Sequence, residues 1–282
     1  MRVVLTGSSG RVGRAIFSAL AGAHEIGDIA NDALLRAALR NADAVIHAAA
    51  LHAPHVGIVP DEEFLRINVD GTRLIAEAAL AAGVRRLVFT STTALYGHAV
   101  VAGHCSWIDE KTQPQPKTIY HRTKLEAERL LEGMACGALA IRVLRMSRSF
   151  PEPGDIMASY RLHRGVDVRD VADAHVAALT NAGEQFQRHV VSARSPFEIE
   201  DCDALATDPG SVIRRRAPAL AEEFARRAWR LPSAIDRVYH SRSAKRELGW
   251  RPRFGFEEVL AQLDRRSLEV LPPSPNIGEE SG

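Results

Sequence analysis

The chain has 282 residues, and its 36 Lys and Arg against 35 Asp and Glu give a net charge of +1 with His neutral. This balance provides no overall field that would attract nucleic acid or an anionic membrane surface. Hydrophobic residues make up 46% and charged residues 25%, values that are typical of a globular fold and exclude intrinsic disorder. The length fits one large domain, or one domain with a smaller lobe.

The number and spacing of the cysteines and the hydropathy of the chain predict the cellular location of the protein. Cys105, Cys136 and Cys202 are far apart, odd in number and without CxxC spacing, which argues against a disulfide framework. The N-terminal apolar run is too short for a signal peptide, and no apolar stretch is long enough to cross a bilayer. We therefore expect a soluble, cytoplasmic protein without membrane or nucleic-acid partners.

Short apolar strands alternate with amphipathic helices in the first half of the chain. Their periodicity predicts, in chain order, strand 2–6, helix 11–20, strand 25–29, helix 32–39, strand 44–48, helix 62–82, strand 86–90, helix 118–134 and strand 139–144. Such alternation is typical of parallel βαβ units. The predicted fold class is therefore α/β, with a Rossmann-type doubly wound parallel sheet.

A glycine-rich turn, TGSSGRVG at 6–13, connects the first strand to the first helix. Glycines at positions 7, 10 and 13 allow a tight turn, close approach of a pyrophosphate to the backbone, and close packing of the helix on the strand. The N-terminus of the helix then faces the phosphate charge. The turn therefore predicts a dinucleotide cofactor.

The residues that follow leave the form of the cofactor open. The carboxylate that usually binds the adenosine ribose lies about 20 residues after the first glycine, and both Glu25 and Asp28 fall in this window. Arg11 and Arg14 are candidates for binding a 2′-phosphate, or are simply exposed. We expect NAD, with NADP as the alternative. The short spacing after Gly13 also indicates that a strand–helix–strand unit is reduced to one strand.

Tyr120 and Lys124 are four residues apart, so they share one face of the helix predicted over 118–134. A phenol with a pKa of about 10 is a poor base at neutral pH, but a neighbouring ammonium lowers that pKa. The pair can then accept a proton from a substrate hydroxyl while hydride leaves the carbon. The hydroxyl cluster TSTT at 90–93 follows a strand, at the sheet edge where ligands bind, and is expected to hold the reacting oxygen beside Tyr120.

The second half of the chain is less regular. It predicts a helix near 170–181, a strand near 187–192, and helices near 218–228 and 256–266. We therefore divide the chain into a dinucleotide-binding Rossmann domain over 1–148, a smaller C-terminal substrate-binding lobe over 149–271 that is partly interleaved with the sheet, and a flexible tail over 272–282.

Together the motifs resemble the extended short-chain dehydrogenase/reductase family, of the NAD-dependent epimerase/dehydratase type. The resemblance rests on TGSSGRVG (6–13), Asp28-Ile29, DAVIHAAA (43–50), NVDGT (68–72), FTSTTALYG (89–97), YHRTK (120–124), GVDVRDVADAHVAAL (165–179) and ELGWRP (247–252). It implies an NAD-dependent enzyme that forms homodimers through the helices predicted over 62–82 and 118–134.

The resemblance also implies site residues. Thr92, Tyr120 and Lys124 match the catalytic triad, Lys124 also holds the nicotinamide ribose, and Asn68 matches a structural asparagine. The cofactor site is expected to comprise Gly7, Ser9, Gly10, Arg11, Val12, Gly13, Asp28, Ile29, Ala48, Ala49, Ala50, Thr90, Tyr120 and Lys124. The substrate contacts are expected from His52, Thr92, Thr93 and Arg148.

Two departures from the family pattern bear on the reaction. The family's 4,6-dehydratases carry Asp-Glu directly after the catalytic Thr, whereas this chain has Thr93 and Ala94, so the elimination lacks its acid and base. The segment RMSRSFPEP at 145–153 is similar to that of uronate dehydrogenases. We expect hydride transfer at a secondary alcohol or ketone of a carbohydrate-like substrate, by an epimerase or, alternatively, by a uronate-dehydrogenase-like enzyme or ketone reductase. A silent cofactor sensor is a third reading, which the Tyr–Lys pair disfavours.

Several histidines and arginines near these motifs are candidates for binding a metal, a substrate or an anion. His47, His52 and His55 have no acidic or cysteine partner at a recognisable spacing, so we predict contact with the substrate and no metal. The arginine run at 214–216 and the pair at 226–227 fit an anion clamp or, more simply, a solvated basic face.

Overall fold

The computed structural model describes residues 1–20, 24–26 and 32–273, and a six-stranded parallel sheet lies at its centre. In chain order the strands are β1 (Val3–Thr6), β2 (His24–Ile26), β3 (Ala44–His47), β4 (Arg86–Thr92), β5 (Ser106–Ile108), β6 (Ala140–Met146), β7 (Phe186–Val191) and β8 (Arg237–Tyr239). The main sheet has the order β2-β1-β3-β4-β6-β7, and β5 pairs with β8 separately. The predicted fold class is confirmed, and all carboxyl ends of the main sheet share one edge.

Helices cover both faces of this sheet. They are α1 (Arg11–Ala19), α2 (Asp32–Leu39), α3 (Asp61–Leu65), α4 (Gly71–Ala81), α5 (Ile119–Met134), α6 (Gly154–Tyr160), α7 (Val168–Thr180), α8 (Cys202–Thr207), α9 (Pro209–Arg216), α10 (Pro218–Arg226), α11 (Arg242–Glu247) and α12 (Phe256–Asp264). Successive strand residues point to opposite faces: Val45 packs in the core with α2, α4 and α5, and Ile46 in the core with α1 and α7. Burial on both faces explains the continuous apolar strands.

The first half of the sheet is shortened as predicted. The chain passes from β2 through α2 directly to β3, which pairs with β1 on the side opposite β2. Within 32–47, which the structure describes completely, no strand separates α2 from β3. The predicted strand 25–29 is observed over 24–26, and its last three residues lie outside the described ranges.

The helix predicted over 62–82 is interrupted. Its first turns form α3, a π-helical segment follows over Arg66–Asp70, and α4 completes it. Asn68 lies in the π-helical segment, where its side chain bonds to the loop after β3 and to α5. These tertiary bonds give a physical reason for the wider turn, since such bulges commonly position functional side chains.

The second lobe has its own apolar core. Side chains of α6, α8, α9, α10, α12 and β8 bury one another there, among them Leu205, Ile213, Phe224 and Val259. By contrast, β7 joins the main sheet and α7 packs against it. The division into domains stays a prediction. No described helix is long and apolar enough to span a membrane.

Candidate active site

The glycine-rich turn lies between β1 and α1, with its backbone against the end of β3. Gly7 has a φ of +76°, and a Cβ there would lie 2.5 Å from the Ala49 nitrogen. A Cβ on Gly13 would lie 2.0 Å from the Gly7 oxygen. Gly10 caps α1 without a side-chain hydrogen bond, which leaves the N–H groups of the first helical turn available to an anion. This geometry fits the pyrophosphate of a dinucleotide.

Several predicted cofactor residues surround this turn. The Ala48 nitrogen donates to the Thr6 oxygen over 3.2 Å, and the Ala49 nitrogen lies 3.4 Å from the Thr6 hydroxyl. The structure thus brings the segment that follows β3, residues 48–50, beside the turn. Ser9 is exposed and Val12 packs toward the core under α1. Asp28 and Ile29 lie outside the described residues, so their contact with the adenosine stays a prediction.

The two arginines of α1 already have protein partners. Arg11 Nε donates to the Ser149 oxygen over 2.9 Å, and the Arg11 guanidinium pairs with Glu269. Arg14 Nη1 donates to the Ser9 oxygen over 2.7 Å. Arg11 would therefore have to give up its bonds to bind a 2′-phosphate, whereas Arg14 uses only Nη1, so both NAD and NADP remain compatible with this end of the site.

His47 is structural rather than a lining residue of the substrate pocket. It is fully buried, its Nδ1 lies 2.8 Å from the Thr6 hydroxyl, and its Nε2 lies 3.0 Å from the Thr72 hydroxyl. Because Thr72 donates to the Asn68 oxygen, Nε2 carries the ring proton and Nδ1 accepts from Thr6. Burial, helped by the charge of Lys124, lowers the pKa of His47 to about 3, so the ring stays neutral.

Asn68 connects the loop after β3 to the helix that carries the predicted catalytic pair. Its Oδ1 accepts from the Leu51 nitrogen over 2.8 Å, and its Nδ2 donates to the Leu51 oxygen and the Thr123 hydroxyl. The Thr123 hydroxyl in turn donates to the backbone carbonyl oxygen of Tyr120 over 3.1 Å. The structural role that the resemblance implied for Asn68 thus corresponds to fixing α5 against the sheet edge.

Thr92 and Tyr120 meet at the carboxyl edge of the sheet. The Thr92 hydroxyl oxygen accepts from the Ala94 nitrogen over 3.0 Å, so its own proton can be donated. Burial raises the pKa of Tyr120 to about 12, and hydrogen bonding from Thr92 acts in the opposite direction. The pKa of Tyr120 is therefore raised and not lowered as expected, because burial is the largest influence on the phenol.

Lys124 is buried one turn further along α5. Its side chain is held by the Thr90 carbonyl, with 2.6 Å between Nζ and the oxygen, and by the face of the Phe89 ring, whose centroid is 3.8 Å from Nζ. Burial lowers the pKa of Lys124 to about 7, although the charge of Glu128 acts against this. Thr90 therefore contributes its carbonyl to the site, while its hydroxyl bonds to His175 on α7.

We expect a Lys124→Met variant to be more stable than the wild type near neutral pH, by about 1–2 kcal/mol, because burying the ammonium costs free energy. The folded pKa of about 7 lies below the ordinary 10.5. The folded state therefore binds fewer protons between these values, and wild-type stability should rise with pH across that window. Denaturant titrations at several pH values measure both effects.

The comparison needs an exposed lysine as its control. Lys245 on α11 is exposed, and Lys245→Met should change neither the stability nor its pH dependence noticeably. A Lys124→Met variant that is less stable than the wild type at neutral pH would contradict the buried charge.

A buried ion pair that the sequence analysis missed lies behind Lys124. Glu128 on α5 is fully buried and receives Nε and Nη2 of Arg145 on β6, the closest contact being 2.6 Å. The Ser91 hydroxyl also donates to Glu128, and Arg145 Nη1 donates to the Tyr96 hydroxyl over 3.0 Å. The sequence does contain a signal for this pair: Arg145 lies in the apolar strand AIRVLRM, and a charge in a buried strand requires a partner.

The predicted substrate residues spread over the mouth of the site. The His52 ring stacks on Phe150 with centroids 6.0 Å apart, which brings the loops after β3 and β6 together. The guanidinium carbon of Arg148 is 5.8 Å from the centroid of the Phe150 ring, and Arg148 pairs with Glu152. Thr93 is only 4% exposed. Their contacts with a substrate stay predictions. In the described ranges no group of three or more His, Cys, Asp or Glu side chains could hold a metal ion.

Known proteins resemble this chain in sequence. UDP-glucose 4-epimerase of Streptomyces lividans is 28% identical over 173 residues, which is 59% of this chain and 47% of that protein. L-arabinose 1-dehydrogenase (NAD(P)(+)) of Haloferax volcanii is 29% identical over 153 residues, 46% of this chain and 59% of that protein. dTDP-glucose 4,6-dehydratase of Streptomyces antibioticus is 34% identical over 126 residues, 44% of this chain and 36% of that protein. The chain thus spans less than two thirds of each relative.

Solved structures share the fold along most of the chain. MoeE5 in complex with UDP-glucuronic acid and NAD has a TM-score of 0.67 and 24% identity, with 95% of this chain and 100% of that chain covered. A short-chain dehydrogenase/reductase superfamily protein of Agrobacterium tumefaciens with bound NAD has a TM-score of 0.68 and 19% identity, with 94% and 97% covered.

A family model for the NAD dependent epimerase/dehydratase family matches residues 3–152, more than half of the chain. The matched region contains the glycine-rich turn, the Thr92 strand end and the Tyr120–Lys124 helix. The resemblance found in the motifs is confirmed, together with the expectation of an enzyme family that uses NAD. This chain belongs to the NAD dependent epimerase/dehydratase family.

Proposed function

We propose that the protein catalyses nicotinamide-dependent oxidoreduction at a secondary alcohol or ketone of a sugar or sugar derivative. One observation carries this proposal: Thr92, Tyr120 and Lys124 lie at one end of the sheet, with the Thr92 hydroxyl close enough to the phenol to lower its pKa and the lysine buried one turn further along α5. NAD, when bound, supplies the hydride acceptor.

The residues present fit that cofactor. Gly7 and Gly13 leave no room for side chains at the turn, and the first turn of α1 presents free N–H groups to a pyrophosphate. The ends of β1 and β3 lie directly beside it. Lys124 is the residue of this chain that would hold the nicotinamide ribose, as the family resemblance implies.

Each of the three side chains has a distinct part in the chemistry. The Thr92 hydroxyl donates to the substrate oxygen and fixes it beside the phenol, which reduces the cost of orienting the reactants. Tyr120 accepts the proton of the substrate hydroxyl, in its phenolate form. The Lys124 ammonium stabilises that phenolate by charge in a dry environment, where electrostatic interactions are strong.

The family's dehydratase reaction has no support in this chain. Thr93 and Ala94 occupy the positions after Thr92, and neither side chain can act as an acid or base near neutral pH. Two reactions remain. An epimerase returns the hydride to the opposite face of the same carbon, and a dehydrogenase releases an oxidised product. The similarity to a sugar 1-dehydrogenase supports the second, and the similarity to a sugar-nucleotide 4-epimerase supports the first.

Incubation of the purified protein with NAD or NADP and a panel of free sugars, uronic acids and nucleotide sugars tests the proposal. Net appearance of reduced nicotinamide absorbance identifies a dehydrogenase. Inversion of one carbon by NMR, without net reduction, identifies an epimerase. Absence of both with every substrate, while NAD binds, would overturn the proposed activity and favour a cofactor sensor. The homodimer and the cytoplasmic location stay predictions, and sedimentation equilibrium measures the former.

A further inference from the structure

A cavity of about 650 Å³ lies in the second lobe, apart from the residues predicted to bind cofactor or substrate. Its walls come from the end of α6 (161–162), the loop after β7 (194–198), the junction of α9 and α10 (216–219) and the segment 252–257. None of the residues predicted for cofactor binding, catalysis or substrate binding lines it. The cavity is therefore separate from the site of the proposed reaction.

The charged residues at this cavity are mainly arginines. Four arginines line it against two glutamates; they are Arg161, Arg194, Arg216 and Arg253, with Glu198 and Glu257. Three of these guanidinium groups pair with carboxylates: Arg253 with Asp173, Arg161 with Asp167 and Arg216 with Asp201. Of the three, Arg253 has the most exposed side chain, at 63%, so its charge is the most strongly screened by water and contributes least to anion binding.

Arg161 is a buried charge with unused donor capacity. It is only 3% exposed, and its Nε atom is buried without a hydrogen-bond partner in the part of the chain that the structure describes. Its Nη2 donates to Asp167 over 3.3 Å, but the same carboxylate also accepts two bonds from Arg169. The Arg161 Nη1 makes no hydrogen bond to a described residue, so the guanidinium can donate to an oxyanion in the cavity while its Nη2 stays paired with Asp167.

Two further guanidinium groups complete the basic wall. Arg194 is exposed and makes no hydrogen bond or ion pair with any described residue, although most arginines of the protein are paired. Arg216 uses Nε to bond Asp201 over 2.9 Å, and no bond of its terminal nitrogens to a described residue is present. Planar, multi-donor guanidinium groups are suited to phosphate and carboxylate.

The remaining wall is apolar. Phe254 and Phe256 line it together with Pro196, Pro218 and Pro252, and Phe254 is held in place by Arg169, whose guanidinium carbon is 3.6 Å from the ring centroid. We propose that this cavity binds a small organic oxyanion, with a phosphate or carboxylate at the three arginines and a compact apolar part against the two phenylalanines.

Calorimetric titration with phenyl phosphate, benzoate, inorganic phosphate and phenol tests the proposal. Phenyl phosphate should bind more tightly than inorganic phosphate, because it also fills the apolar wall, and phenol should bind least. Comparing the dissociation constants of benzoate and phenyl phosphate shows whether the arginines prefer carboxylate or phosphate. Arg194→Gln should weaken phenyl phosphate at least about ten-fold, since a charge-assisted bond is lost.

Matched variants separate this cavity from the catalytic site. Arg40→Gln removes the same charge at an exposed position of the first lobe and should bind normally, as should Tyr120→Phe. Arg161→Lys keeps the charge but removes the planar guanidinium with its terminal nitrogens, and should also weaken binding. The proposal is overturned if no anion binds up to millimolar concentration, or if Arg194→Gln binds as tightly as the wild type.

Discussion

Replacing Tyr120 by phenylalanine should reduce turnover by about 10²–10⁴-fold, the usual contribution of a positioned general acid or base. The substitution removes one oxygen atom. NAD binding and the free energy of unfolding should stay near the wild-type values, because α5 is anchored through Thr123 and Asn68 rather than through the phenol. The measurement is kcat with whichever sugar the panel identifies, together with the dissociation constant of NAD.

Tyr160→Phe is the matched control for this prediction. Tyr160 is a half-buried tyrosine on α6 in the second lobe, and loss of its hydroxyl should leave kcat unchanged. If Tyr120→Phe turned over at the wild-type rate, Tyr120 would have no part in proton transfer and the proposed mechanism would be wrong.

The pH profile gives a second readout of the same group. Oxidation of an alcohol requires the phenolate, so the rate should increase with pH toward the pKa of Tyr120, which is about 12 without ligand and lower beside a positively charged ring. Before substrate binds, hydrogen bonding from Thr92 lowers this pKa, so Thr92→Ala should shift the rising limb of kcat/KM, which reports the free enzyme, to higher pH. An unshifted limb would show that Thr92 does not act on the phenol.

Sequence patterns predicted the main sheet well because its strands are buried on both faces and its helices are long enough to show a period. The strands β5 and β8 and the helices α6, α8, α9 and α11 were missed. They lie outside the regular alternation of strands and helices, which revealed elements of the same length such as β2 and α2. The interruption at Arg66–Asp70 was also missed, since the apolar spacing of 62–82 is continuous and the π-helical segment depends on tertiary bonds of Asn68.

Within the site, spacing identified which side chains meet but not their electrostatic state. The i, i+4 positions of Tyr120 and Lys124 predicted a shared face, and the structure places both at the sheet edge. The predicted sign of the Tyr120 pKa shift was wrong, because burial of the phenol depends on tertiary packing that no local pattern predicts. His47 was assigned to the pocket because its two hydroxyl partners, Thr6 and Thr72, are distant in sequence.

Glu128→Gln should destabilise the fold by about 3–5 kcal/mol, because it leaves the Arg145 guanidinium buried without a counter-charge. The side chains of Glu128 and Arg145 are 0% and 4% exposed, so water cannot replace the lost carboxylate charge. The charge of Glu128 also raises the pKa of Lys124. In Glu128→Gln a smaller fraction of Lys124 should therefore be protonated near neutral pH. The variant should show an altered pH dependence of turnover as well as a lower stability.

Glu132, one turn along α5 and half-exposed, provides the matched control. It pairs with Arg188 at the surface, so Glu132→Gln should cost less than about 1 kcal/mol. Chemical denaturation of both variants measures the difference. The double variant Glu128→Gln with Arg145→Met should recover part of the stability, because it removes the charge that the single substitution leaves unpaired. If Glu128→Gln and Glu132→Gln lowered the free energy of unfolding equally, the buried pair would not stabilise the sheet edge that carries Thr92. The position of Lys124 would then have to be explained by Asn68 and Thr123 alone.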